Sequence, residues 1–403
     1  MTRNVDVVVA GGGLVGAAFA ALMAKKVPTL SVAVIESHPF SGYFEDTEFD
    51  PRVVALTEAS RRMLAEIGVW QTIAQRRVTP YTHMSVWDSD GTGFIEFDGD
   101  DIGEESIGHI VENANIVGAL QDKLADYSNI ELICPAKVES VTRNGEQLTV
   151  TLDSGETLSA LLLVAADGAR SSVRTLCDFA LNEDPYGHSA IVATIECEHP
   201  HGATARQWFS SDGPLAFLPI NQSPDGNGES EHHISIVWSQ RNIKAKELMA
   251  LDDAEFCTAL SRASQFTLGN VKTVSKRFCF PLTQRHASDY VKPNVALLGD
   301  AAHTIHPLAG QGVNLGFKDV VALVDELKRA TERGLPLGDL CVLNRYQRVR
   351  KPDNLATMAA MKGFKELFGS ELPILRVLRN EGMSLVNKID PLKKQLIRQA
   401  MGL

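Results

Sequence analysis

Apolar positions change period several times along the chain. Residues 5–10 (Val-Asp-Val-Val-Val-Ala) form a nearly unbroken β-branched run, the pattern of a parallel strand buried on both faces. Residues 17–26 are alanine-rich and predict a helix. Residues 31–35 return to a strand pattern that stops at Glu36. Two later apolar runs end alike, 161–166 at Asp167-Gly168 and 295–298 at Gly299-Asp300, with a helix predicted from Asn314. Between 181 and 280 the character changes. Residues 190–195, 215–219 and 233–238 read as short strands between polar, Gly- and Pro-rich turns such as 221–231. Residues 81–97 are expected to add to this antiparallel sheet. After Pro391 a helix would place Leu392, Leu396, Ala400 and Leu403 on one face, with Lys394 and Arg398 pointing away and Lys393 and Ile397 at its edge.

These patterns predict an α/β chain, α+β overall. A Rossmann-like dinucleotide-binding domain, discontinuous over 1–75, 100–180 and 280–345, holds an inserted antiparallel-sheet substrate domain at 76–99 and 181–279. A C-terminal helical region covers 346–403. No internal repeat or low-complexity linker marks independent domains. A length of 403 residues with 44% apolar content suits two or three domains. Fifty acidic against 39 basic residues give a formal charge of −11, which argues against a general nucleic-acid binder. No apolar run reaches the roughly 20 residues of a membrane span. The N-terminus lacks a signal-peptide apolar region, and the six cysteines are scattered without a CxxC pair. Reduced thiols in a cytoplasmic protein are expected.

Gly11, Gly13 and Gly16 form GxGxxG between the first strand and helix, with Glu36 twenty residues beyond Gly16. Gly11 permits the tight turn, Gly13 lets a pyrophosphate approach the backbone, and Gly16 lets helix and strand pack closely. The helix N-terminus offers N–H groups to phosphates. Glu36 would hold ribose hydroxyls and disfavour a 2′-phosphate. This unit alone does not separate FAD from NAD. A polar stretch, 37–50, and then Arg52 follow it, and the other Gly-and-acid strand ends lie far downstream. A long cofactor held from several strand ends fits that spacing.

The signatures GxGxxG, DGxxSxxR (Asp167-Gly168, Ser171, Arg174) and GDAAHxxxPxxGxGxN (Gly299-Asp300-Ala301-Ala302-His303, Pro307, Gly310, Gly312, Asn314) carry a resemblance. The chain resembles FAD-dependent aromatic hydroxylases of the p-hydroxybenzoate hydroxylase fold, and more narrowly the ubiquinone-biosynthesis hydroxylases. Residues 108–113, 303–316 and 395–403 are similar to that group. The resemblance implies FAD as cofactor and NAD(P)H as a donor that docks transiently, there being no second GxGxxG. It implies Glu36 at the adenosine ribose, Arg52 beside the pyrophosphate, Asn113 as a polar FAD contact and Gly299-Asp300 at the ribityl chain. The backbone of Leu308, Ala309, Gly310, Gln311 and Gly312 would face the isoalloxazine, and Asn314 would be a further cofactor-binding residue. Asp167 and Arg174 would serve both FAD and the donor; a surface ion pair is the plainer reading of Arg174, and a helix cap that of Asp300. The implied reaction is hydroxylation of a polyprenylated phenol by O2 through a flavin C4a-hydroperoxide. No catalytic base is required; His306 and Pro307 are the candidates nearest the flavin, and His303 is expected to be structural.

Other readings stay open. The same fold could oxidise or reduce a prenyl lipid without inserting oxygen, or the chain could be a non-catalytic dinucleotide-binding assembly protein. Cys197, His199 and His201, with His232-His233, could approach a metal, but a polar turn is the plainer reading and no metal is assigned. Phe209, Phe217, Pro219, Trp238 and Phe280 are candidates for an apolar substrate wall, or for core. Residues 373–403 hold six basic side chains against Glu381 and Asp390, so six minus two gives +4. That tail could meet the inner membrane face, the protein's own body or another ubiquinone-biosynthesis protein.

Overall fold

The computed structural model describes residues 2–44, 48–221, 231–305, 311–369 and 373–402. Its helices, in chain order, are α1 (Leu14–Lys26), α2 (Glu58–Ile67), α3 (Trp70–Ala74), α4 (Asn113–Leu124), α5 (Ser172–Leu176), α6 (Asn242–Ala250), α7 (Asp253–Ala263), α8 (Gln311–Glu332), α9 (Leu340–Gly369), α10 (Pro373–Lys388) and α11 (Asp390–Met401).

An eight-stranded sheet carries the dinucleotide motif. Its path runs Val291–Lys292, Val295–Leu297, Thr157–Ala165, Arg3–Ala10, Val32–Ile35 and Ile130–Ile133, and every pairing from Val295–Leu297 onward is parallel. A hairpin, Val138–Asn144 and Gln147–Leu152, pairs antiparallel with the start of Thr157–Ala165. Val7, Val8, Val9, Leu162, Leu163 and Val164 are inaccessible, because layers cover both faces, and so their runs show no alternation. Helix α1 is buried from Gly16 to Ala24 between α4 and α8. Its alanines let neighbours approach, and a helix covered all round needs no polar face.

The second sheet has nine strands, in the order His303–Thr304, Phe278–Ala287, Leu181–Cys197, His233–Arg241, Leu215–Pro219, Thr204–Phe209, His83–Asp88 and Phe94–Asp98; Val271–Val274 pairs beside Leu181–Cys197. It departs from the expected purely antiparallel sheet at one pairing, since Thr204–Phe209 and His83–Asp88 run parallel. The strand expected at 190–195 belongs to the single strand Leu181–Cys197, and Phe278–Ala287 runs across the boundary expected at 279/280. One sheet face packs on α6 and α7, joining Ile191, Phe217, Ile236 and Trp238 to Leu248, Phe256 and Leu260. Phe217 and Trp238 therefore belong to this core rather than to a substrate wall. A third, antiparallel sheet joins Val53–Thr57, Gly108–Glu112 and Val78–Tyr81.

The C-terminal helices bind the two large sheets together. Helix α9 packs beside α8 and sets Met358 against Ile305 and Leu315, and farther along it stacks Phe368 on Phe209 with ring centroids 4.2 Å apart. Arg379 of α10 forms a buried two-pronged ion pair with Asp88 (2.6 and 2.8 Å) and donates to the carbonyls of Leu367 and Phe368, the last turn of α9. In α11 the buried stripe is Ile397 and Met401, set against Ile107, while Leu396 stays exposed. The helix is thus rotated from the expected face, because the protein's own surface covers the Ile397 side. Side chains at 392, 400 and 403 lie outside the described residues.

Candidate active site

Strand Arg3–Ala10 continues to Val32–Ile35 on one side, and the chain later returns to its other side as Thr157–Ala165. Such a switch point opens a crevice at the strands' carboxyl ends. A cavity of about 480 Å³ lies there, lined by Gly11, Gly13, Glu36, Lys137, Asp167 and Arg170 among others. The glycines divide the work. Gly11 has φ +100°, and a Cβ there would sit 2.4 Å from the Ala166 carbonyl oxygen. A Cβ on Gly16 would lie 1.9 Å from the Gly11 carbonyl oxygen. Both are required by packing. A Cβ on Gly13 would meet nothing within 4 Å, so this glycine keeps open the space that the cavity occupies.

Polar groups aim into the same crevice. Glu36 accepts from Gly12 N–H (2.6 Å) and His38 N–H (3.0 Å), which fixes its carboxylate at the strand end. Asp167 Oδ2 accepts from Val173 N–H and the Ser172 hydroxyl, both at 3.1 Å, while its buried Oδ1 has no protein partner among the described residues. A buried carboxylate oxygen left unpaired beside a cavity is open to a donor from a bound hydroxyl or from water. Asp300 follows the neighbouring strand, outside the lining of that cavity. Its carboxylate opens to solvent on one side and accepts no hydrogen bond from the described residues; the surrounding protein desolvates it and raises its pKa, against the charges of His303 and Arg285. Free acceptors at the ends of adjacent strands, an open glycine and a helix N-terminus suit the hydroxyls and pyrophosphate of FAD.

The other sequence candidates are placed as follows. Asp50, buried, accepts from Arg52 N–H (2.9 Å) and Ala114 N–H (2.9 Å), and Asn113 N–H donates to the Arg52 carbonyl (2.9 Å). Arg52 and Asn113 are thereby brought together, with the Arg52 side chain exposed. Arg174 is buried; its guanidinium donates to the carbonyls of Ala301 (3.0 Å) and Ala169 (2.9 Å), and burial lowers its pKa. It braces two motifs against each other and is not the surface ion pair of the plainer reading. Asn314 is buried and spends its side chain on Ala55, Thr57 and Ser60, pinning α8 to α2 and the third sheet. Gln311 and Gly312 open α8, whereas His306, Pro307, Leu308, Ala309 and Gly310 lie outside the described residues. His303 is buried and bonded to Asp319 (2.6 Å).

Three contributors escaped sequence reasoning: Gln121, which donates to the Gly12 carbonyl (2.9 Å), Asp50 and Asp319. Gln121 stands two helical turns after Asn113, a weak signal by itself. The Cys197 to His201 segment is held by ordinary hydrogen bonds: His201 with Asn221 (2.9 Å), Glu198 with Asn270 (3.0 Å), and the Cys197 carbonyl with His232 (3.0 Å).

A second cavity, about 370 Å³, lies between the second sheet and α9, lined by Tyr186, His188, Phe209, Arg241, Lys365 and Phe368 among others. Phe209 points opposite to its neighbour Trp208, which lies in the α6–α7 core, so it faces this cavity. Lys365 donates to the Tyr186 carbonyl (2.9 Å) and lies over its ring; burial lowers the lysine's pKa. The second sheet joins this cavity to the strand His303–Thr304. Asp184, in its lining, pairs with Gln284, and the next residue, Arg285, pairs with Thr304.

Residues 4–353 match the family model described as an FAD binding domain. The chain is 34% identical to the 3-demethoxyubiquinol 3-hydroxylase of Escherichia coli over 99% of its own length and 98% of the relative's. It is 34% identical to the ubiquinone hydroxylase UbiL of Rhodospirillum rubrum, over 98% of this chain and 89% of that one. The crystal structure of p-nitrophenol 4-monooxygenase PnpA from Pseudomonas putida shares the fold, with a TM-score of 0.79 at 18% identity and 99% of each chain covered. With a cofactor crevice, signature motifs and full-length likeness in agreement, the chain belongs to the FAD-dependent hydroxylases of ubiquinone biosynthesis.

Proposed function

We propose that this protein hydroxylates the aromatic ring of a polyprenylated phenol in ubiquinone biosynthesis, using O2 and NAD(P)H. The observation that carries this reading is the full-length 34% identity to proteins named as ubiquinone-pathway hydroxylases. Bound FAD supplies the electron transfer and oxygen activation that side chains lack. The residues bind and orient. Gly13 and the start of α1 receive the pyrophosphate, Glu36 the ribose, Arg52 and Asn113 the neighbouring polar groups, and Asp300 the ribityl hydroxyls. Asp167 offers its unpaired oxygen, and Arg174 acts on FAD and on the docking donor through the turn it braces. The substrate ring enters from the cavity between the second sheet and α9, where Phe209 and Phe368 exclude water and Lys365 presents a cation.

The test is NAD(P)H-dependent O2 uptake by the purified protein with a short-chain prenylphenol. A product heavier by one oxygen atom supports the reading. Oxidation of the donor and change of the lipid without oxygen gain would refute it in favour of an oxidoreductase of the same fold. Quinone intermediates that accumulate in a deletion strain, identified by mass spectrometry, give the ring carbon.

Membrane contact is part of the same proposal, since a polyprenyl phenol resides in a bilayer. No helix among the described residues is long and apolar enough to cross a membrane. Leu385, Ile389 and Leu396 are nevertheless exposed on α10, its end and α11, and Lys394 and Arg398 are exposed nearby in sequence. Two of the six basic residues of this tail are already engaged within the protein, Arg379 with Asp88 and Lys393 with Asp101 (2.8 Å). Lys394, Arg398 and the exposed apolar side chains support an interfacial patch drawn to anionic lipid.

A further inference from the structure

Behind the Gly299–Ala301 turn lies a buried polar cluster that contributes nothing to the lining of the cofactor cavity. Its centre is Asp319 of α8, fully inaccessible. Asp319 Oδ2 accepts from Gly299 N–H (3.1 Å) and His303 Nε2 (2.6 Å). Oδ1 accepts from Arg350 Nε (2.8 Å) and Asn354 Nδ2 (3.3 Å). Arg350 and Asn354 both project from α9, and Arg350 also donates to the Asn354 side-chain oxygen (2.7 Å). Burial alone would raise the Asp319 pKa, but the charges and hydrogen bonds of His303 and Arg350 prevail and hold it below its usual value.

A buried carboxylate is costly. Desolvation penalises each buried ion, and an apolar residue could pack α8 as well. The bonds show what the charge accomplishes here. Asp300 presents its carboxylate outward, and the residues on either side of it are held from behind. Asp319 fixes Gly299 and His303, and Arg174 fixes the carbonyl of Ala301. Gly299 itself adopts φ +55°, a left-handed conformation that glycine takes at little steric cost. The other side of the same carboxylate is tied to α9, which reaches the second cavity at Lys365 and Phe368.

We infer that Asp319 is a positioning residue for the cofactor: shared between His303 and Arg350, it sets the Gly299–Asp300 turn that presents Asp300 to FAD and ties that turn to α9. The inference rests on the FAD assignment of the crevice. It requires no change of protonation and no contact between Asp319 and any ligand. A residue that merely stabilised the fold would lower the melting temperature of the apoprotein and leave the bound flavin unaltered.

Asp319→Asn preserves shape while removing charge. Its amide keeps one acceptor oxygen and turns an NH2 donor toward either the Gly299 and His303 side or the Arg350 and Asn354 side. Arg350→Met removes the α9 partner, and Arg350→Lys keeps a cation in reach of Oδ1. The measurements are the FAD dissociation constant of refilled apoprotein, the flavin midpoint potential, and the melting temperature of each apoprotein. The expected result is FAD binding at least tenfold weaker in Asp319→Asn and Arg350→Met, with a displaced potential and most of the loss recovered in Arg350→Lys. FAD affinity within twofold of the parent and an unchanged potential in a folded Arg350→Met or Asp319→Asn protein would overturn the inference, whatever the melting temperature. If Asp319→Asn does not fold, the two Arg350 variants decide. Turnover of the parent is measured alongside, so failure of the functional reading appears in the parent, and failure of this inference only in the variants.

Discussion

Gly13 and Gly16 stand three residues apart in one motif, and the structure assigns their substitutions opposite consequences. Gly13 has φ −76° and ψ −164°, extended backbone that valine adopts readily, and its added Cβ would meet no protein atom within 4 Å. It is the N-cap of α1 and makes no side-chain cap bond, so valine loses only the modest advantage glycine holds there, about 1 kcal/mol. Lower chain entropy of the unfolded valine variant offsets part of this, about 0.4–1 kcal/mol. The Gly13→Val apoprotein should therefore melt within about 3 °C of the parent apoprotein. Its isopropyl group occupies the space left for the pyrophosphate, and FAD affinity should fall at least 100-fold, about 2.7 kcal/mol. Gly13→Ala should lose less. Gly16→Val places its Cβ 1.9 Å from the Gly11 carbonyl oxygen, forcing α1 off the sheet, and should cost several kcal/mol of stability even without FAD. The assay is the ratio of flavin to protein absorbance on purification, titration of apoprotein with FAD, and thermal melting of the three apoproteins. Normal flavin occupancy in Gly13→Val would refute this placement of the cofactor. A Gly16→Val protein as stable as the parent would refute the packing argument.

His109 and His286 are both pushed down to about 4, chiefly by burial, from an ordinary 6.5. A depressed folded pKa gives stability that is full above the unfolded value and lost as pH falls from about 6.5 toward 4. Between pH 7 and 5 His286 alone should remove on the order of 2 kcal/mol. Melting followed across that range, with a His286→Asn variant expected to lose less, checks it; parallel losses in both proteins would refute it. For the membrane patch, reversing Lys394 and Arg398 to glutamate, together with Leu396→Ser, should abolish flotation with anionic vesicles while leaving flavin content intact. These side chains are exposed, whereas deletion of 390–403 would also uncover the Ile107 contact. Binding of the parent that persists at high salt, or equal binding of the variant, would remove the patch from the mechanism.

The sequence by itself determined the parts whose cause is local. Unbroken β-branched runs marked the central strands, because a strand covered on both faces has no polar side to show. The glycine spacing, Glu36, Asp167 and Asp300 were legible because each follows a strand directly, where chain geometry leaves few conformations. Other local signals were present but unused, such as the Asp252/Glu255 capping box that starts α7 in a region read as strands. Tertiary structure decided what depends on partners far apart in the chain. Whether Phe209 or Phe217 faces the cavity turned on which sheet face α6 and α7 cover. The surface of α11 that is buried was set by Ile107, nearly three hundred residues earlier, and amphipathic spacing alone chose a different stripe. Arg174 could be read as a surface cation until the fold surrounded it with two carbonyls. Asp319 carried no motif. Its importance comes from Gly299 and His303 ahead of it and Arg350 behind, and only folding brings those donors to one carboxylate, because a buried charge must find its partners wherever the chain places them.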